Sequence, residues 1–127
     1  MFKEAVICII IVLGILGLEF FAQNFTKQAV EEVTGIFDEI EENISKQDIE
    51  QVNNEIKDID SKWDEKQKKL AYYIEHDELE KVETAIVTMK SYIETKNFSA
   101  ALAELAEGRF VLEHIQEKNS FNLQNIF

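Results

Sequence analysis

The chain has 127 residues, 46% hydrophobic and 30% charged, with 25 acidic against 13 basic residues and a net charge of −12. That balance argues against nucleic acid, whose phosphates are neutralised by Lys and Arg, and against a polybasic grip on anionic lipid. Cys8 is the only cysteine, so no intrachain disulfide can form, and the absence of Pro with only four Gly leaves few forced breaks in the backbone.

Residues 5–18 carry no charge; Glu19 interrupts, and Phe20, Phe21 and Ala22 continue the apolar run. Counted through Ala22, the segment makes about 27 Å of helix against a hydrocarbon core of about 30 Å. The expectation is a retained transmembrane anchor over residues 1–22, in contact with membrane lipid through residues 5–22. A cleaved signal peptide is the rival, since a run of this length also suits an h-region. Against it stand a weak positive flank (Lys3 and the terminal amine) and the bulky Phe20 and Phe21 where small residues precede a cleavage site. The cationic flank places the N-terminus in the cytoplasm and the remainder outside, leaving residues 1–4 inside. Residues 23–127 hold 12 of the 13 Lys and Arg and 23 of the 25 Asp and Glu, a net charge of −11.

A first helix is expected over residues 24–42, with a stripe of Phe25, Ala29, Val33, Ile36, Ile40 and Ile44 flanked by Val30 and Phe37. With no Pro between them it can continue the anchor directly, with Gly35 as a soft point. A break is expected at residues 43–45, and Ser45 with Asp48 resembles a capping box for the next helix. Residues 48–76 form the clearest seam: Ile49, Val52, Ile56, Ile59, Trp63, Leu70 and Tyr73 recur at steps of three and four, with Lys66 in the one gap. Such a helix has one apolar edge and needs partner faces.

The phase of that seam does not match Leu79, Val82, Ile86, Met89 and Ile93, so a turn is expected at His76–Asp77; one long helix with a phase shift is the alternative. A third helix is placed over residues 78–96. A turn follows at residues 97–99, capped by Asn97 or Ser99, and a fourth helix runs over residues 100–118 with Ala101, Leu105, Gly108, Leu112 and Ile115 inward. The three Asn-x-Ser/Thr sequons at Asn24, Asn43 and Asn97 read as capping chemistry. Residues 119–127 interleave polar with large apolar residues. Phe121, Leu123, Ile126 and Phe127 are expected either to pack on the bundle or to dock a partner. The fold expected is all-α, an N-terminal transmembrane helix followed by an antiparallel four-helix bundle over residues 23–118 and this apolar tail.

From Trp63 onward specific motifs recur: Trp63 and Leu70, then Tyr73-Ile74-Glu75-His76-Asp77-Glu78-Leu79, Tyr92-Ile93-Glu94, Glu113-His114-Ile115 and the closing Asn125-Ile126-Phe127. Together they resemble domain of unknown function 4363, a family of short membrane-anchored proteins of clostridia and related Firmicutes. The resemblance covers about half the chain strongly, and the N-terminal anchor agrees with it. It implies no activity. It implies an accessory role beside a polytopic membrane protein.

Few residues point to chemistry. His76 and His114 are the only histidines, both among acids. Two histidines and a carboxylate at one end of a bundle could form a metal site, but there are no Cys ligands or His-Glu-x-x-His helix. A histidine at a helix terminus and a second paired with Glu is the simpler expectation, with no metal and no cofactor. Arg109, the only Arg, reads as a paired residue fixing helix register, or else as a ligand clamp. Trp63 reads as core. The acids Asp58, Asp60, Asp64 and Glu65 lack the loop Gly of an EF-hand and read as a solvated face. No nucleophile–base pair, phosphate loop or paired catalytic carboxylates can be picked out, so no enzyme is expected. The expected role is a binding or scaffold subunit that engages a larger membrane protein or a second copy of itself. The alternative is an extracytoplasmic ligand- or metal-sensing bundle that signals through a partner.

Overall fold

The computed structural model describes residues 1–126, with side chains through Ser120. The chain is all-α: α1 (Phe2–Ser45), α2 (Ile49–Leu70), α3 (His76–Glu94) and α4 (Phe98–Ile126). Successive helices run antiparallel in an up-down-up-down bundle. α1 lies between α2 and α4, α3 packs on α4, and the α2–α3 seam is the loosest.

The apolar segment and the first bundle helix are one uninterrupted α-helix of 44 residues, about 66 Å at 1.5 Å per residue. Gly35 does not break it. This helix contains a stretch long and apolar enough to cross a membrane, and that stretch has no buried residues. Burial begins at Thr26 and then follows Val30, Val33, Phe37, Ile40 and Ile44 at alternating steps of four and three, with Ala29 alongside. The expected stripe is therefore rotated by about one residue: Phe25 and Ile36 are half-buried flanks, and Thr26 and Phe37 lie at its centre. The stripes on α3 and α4 fall as expected, with Leu79, Val82, Ile86, Met89 and Ile93 meeting Ala101, Leu105, Leu112 and Ile115 in one continuous core. Gly108 is buried where α4 crosses α1. A Cβ there would lie 3.2 Å and 3.3 Å from ring atoms of Phe37, so α4 approaches this closely only without a side chain.

Two of the three turns share one design. Gln47 and Lys96 each adopt the left-handed conformation, with φ of 62° and 61°. The next amide turns back to the preceding helix, Asp48 N to Asn43 O at 2.9 Å and Asn97 N to Tyr92 O at 2.8 Å, as in a Schellman ending. Asp48 and Asn97 then cap the following helices, accepting from Gln51 N and Ala100 N, each at 3.3 Å. Asn97 thus caps as expected. Ser45 does not: it ends α1, and the break lies at residues 46–48. Asn43 and Asn24 lie inside α1 and cap nothing. The α2–α3 turn occupies residues 71–75, earlier than expected, so α2 and α3 are separate helices. His76 opens α3, and its N-cap, Glu75, makes no side-chain cap bond. α4 continues to Ile126 instead of ending near Lys118. The packing expected of Phe121, Leu123, Ile126 and Phe127 lies outside the described residues.

Candidate functional site

The residues singled out from the sequence fall into three places. Trp63 is buried in the core, and its indole N–H donates to Glu83 Oε2 on α3 at 2.6 Å. With Lys90–Asp60, also 2.6 Å, it closes the α2–α3 seam by polar bonds where apolar contact is thin. Arg109 reaches from α4 to Asp38 and Glu41 on α1. The two carboxylates are one turn apart on one helix face, so one guanidinium bridges both across the α1–α4 seam.

The histidines lie at the end where α2 turns into α3 but engage different carboxylates. His76, with its side chain 88% exposed, sits 3.8 Å from Glu80, and His114 sits 3.8 Å from Glu78. Lys118 lies 3.4 Å from both Glu75 and Glu78, and these two carboxylates, Glu78 first, raise its pKa. Among the described residues no group of three or more His, Cys, Asp or Glu is placed to hold a metal ion.

Two polar residues in the core were not legible as such. Thr26 is 0% exposed. Its hydroxyl donates to Ala22 O at 2.8 Å, meets the Tyr73 hydroxyl at 2.7 Å and accepts from Asn119 Nδ2 at 3.3 Å. One atom thus joins α1, the α2–α3 turn and α4. Burial pushes the Tyr73 phenol up, and the bond to Thr26 partly opposes that. The four-three spacing that runs Thr26, Val30, Val33, Phe37 was the available signal. Glu55, 3% exposed, stands at the opposite end of the bundle in the α1–α2 interface. Asn43 Nδ2 donates to its Oε1, while Oε2 is buried without a partner. Burial raises its pKa, and the Asn43 bond partly opposes the rise.

The end of the bundle nearest the apolar segment carries an open groove. A groove of about 930 Å³ opens between α1 and the α2–α3 turn, bounded by Ile15, Leu18, Glu19, Phe25, Lys69 and Tyr72. Lys66 and Lys69 place their ammonium groups 5.4 Å and 5.7 Å from the centre of the Phe25 ring. Lys66, the charged residue in the seam of α2, is tied to Glu32 at 3.1 Å, which explains how a cation occupies an inward position. Tyr72 beside it is 90% exposed.

A family model described as a domain of unknown function (DUF4363) matches residues 20–126. No curated protein matches the chain, and no solved structure does.

Proposed function

Since the chain belongs to the DUF4363 family, whose domain has no assigned function, we propose that it is a single-pass membrane protein. Its bundle stands outside the membrane as a non-enzymatic binding or scaffold subunit, accessory to a larger membrane protein. One observation carries this reading. α1 is a single helix whose first half is apolar and exposed and whose second half is a wall of a filled bundle, so the domain is rigidly joined to whatever holds the apolar half. The core is packed with apolar side chains, and the residues best suited to grip a ligand lie towards the outside, His76 and His114 each 3.8 Å from a carboxylate and Arg109 paired with Asp38 and Glu41. That favours a surface used for contact over an interior used for sensing.

The test uses the full chain tagged at its C-terminus in its own cells. The expected result is that it resists extraction by alkaline carbonate, is cut by protease added outside the cell, and co-purifies with a polytopic membrane protein from mild detergent. A chain released by carbonate, or one lacking the apolar segment, overturns the anchor. A carbonate-resistant chain that purifies alone overturns the accessory role.

A further inference from the structure

We propose that the groove at the anchor-side end holds one membrane phospholipid, its acyl chain along Ile15, Leu18 and Phe25 and its phosphate on the ammonium of Lys69. This rests on the reading of α1 as a retained anchor. Three features of the groove carry it.

Its polarity changes along its length in the order that a phospholipid presents. Ile15 and Leu18 belong to the apolar run, whereas Lys69, Tyr72 and Asn119 bound the groove on the bundle side. From Ile15 to Phe25 the helix rises about 15 Å, the depth of one leaflet of a hydrocarbon core about 30 Å thick.

Its cation is available. Lys66 is neutralised by Glu32 at 3.1 Å and Lys68 by Asp64 at 3.2 Å. Lys69 has no carboxylate within ion-pair distance among the described residues. Its ammonium rests 5.7 Å from the Phe25 ring centre, at the level where the apolar run has just ended. A strongly acidic protein thus turns an uncompensated lysine towards the headgroup layer.

Tyr72 is an aromatic side chain standing free of the protein at that level. An amphipathic ring with an apolar body and a polar tip is suited to the interface between acyl chains and water.

Glu19 bounds the same groove, two turns deeper than Phe25 on α1, and has no cation partner among the described residues. Its carboxylate repels a phosphate, so it lowers the affinity that Lys69 provides and gives the proposal a second, opposite sign to check.

The experiment is native mass spectrometry of the full chain purified in mild detergent. The protein is then reloaded from vesicles of mixed phosphatidylglycerol and phosphatidylethanolamine. The wild type is expected to retain one phospholipid that soluble glycerol phosphate does not displace. Lys69→Ala should cut retention about fivefold, the worth of one lysine near an anionic surface. Lys69→Arg should restore it, and Glu19→Gln should raise it above wild type. Circular dichroism melts of Lys69→Ala should match wild type, since Lys69 is exposed. Equal retention by wild type and Lys69→Ala overturns the proposal. So does a photo-crosslinker at Leu18 that captures a second copy or another protein's helix in place of lipid. A chain recovered without its apolar segment overturns the anchored premise instead, and is recognised by its lost N-terminal peptide.

Discussion

The two halves of α1 are one helix in two different surroundings. In the first half, residue after residue is large and apolar, yet none is buried in protein: Ile10 is 62% exposed. In the second half apolar residues are fewer and arranged as a stripe, yet Val33 and Ile40 are wholly buried. The difference teaches that burial here follows pattern, not hydrophobicity. A helix apolar on every side offers no face on which charged neighbours can turn outward, whereas a stripe with Glu31 and Glu39 turned to solvent lets α2 and α4 close over it. The junction between the halves is where Thr26, Tyr73 and Asn119 bond and where the groove begins.

The sharpest way to break this comparison is to truncate one side chain in each half. Phe37→Ala should cost about 3–5 kcal/mol in the unfolding free energy of residues 23–127 expressed alone, because Phe37 is buried against α4. Ile10→Ala in the full chain should leave the melting of the bundle unchanged. Equal effects would mean that the apolar half packs on protein after all.

Overpacking the same contact from the other side should cost less. Gly108→Leu pushes a side chain into the Phe37 ring and should destabilise by about 1–3 kcal/mol. Chemical denaturation of the single variants and of the double variant with Phe37→Ala should show the costs partly cancelling, because the two sites share one space. Strict additivity would show that Gly108 is chosen for another reason.

The bundle half also contains a buried carboxylate that titrates. Burial raises the folded-state pKa of Glu55 above its ordinary value of 4.5, so the protonated form is the one the fold prefers. The stability linked to this group is therefore fully present below pH 4.5 and is lost as pH rises through the raised value. At neutral pH, Glu55→Gln should raise the melting temperature by a few degrees. Its advantage over wild type should shrink on acidification towards pH 4.5. An advantage independent of pH would show that Glu55 is not strained by its charge.

The smallest effect concerns the glycines of α1. A Cβ at Gly35 or at Gly14 meets no other atom within 4 Å. Gly35→Ala should stabilise the bundle by about 0.5–1 kcal/mol, since it lies mid-helix and loses only backbone freedom on folding. Gly14→Ala should change bundle melting not at all. A loss of stability in Gly35→Ala would mean that the helix needs its softness there.

Much of this was legible in the residues. The four helices, the charge-free segment and the inward faces of α3 and α4 follow from periods that hold over several turns without interruption. So did Trp63 as core and Arg109 as a paired residue, since a large aromatic on a seam and a lone guanidinium among acids have few other stable placements. What the sequence could not decide was anything set by one residue's rotation or by partners distant in the chain. Phe25 and Thr26 are adjacent, and which of them faces inward depended on where Tyr73 and Asn119 arrived to satisfy a hydroxyl. Ile56 and Glu55 are adjacent too. Glu55 took the more buried place because Asn43, twelve residues earlier, was there to donate to it. Turn positions moved for the same reason: Gln47 and Lys96 adopt a conformation that the sequence gives no glycine for, and closing the next helix onto the core imposes it. The groove beside the apolar segment belongs wholly to the tertiary structure, because its walls come from α1, the end of α2 and α4, and no local stretch of sequence contains more than one of them.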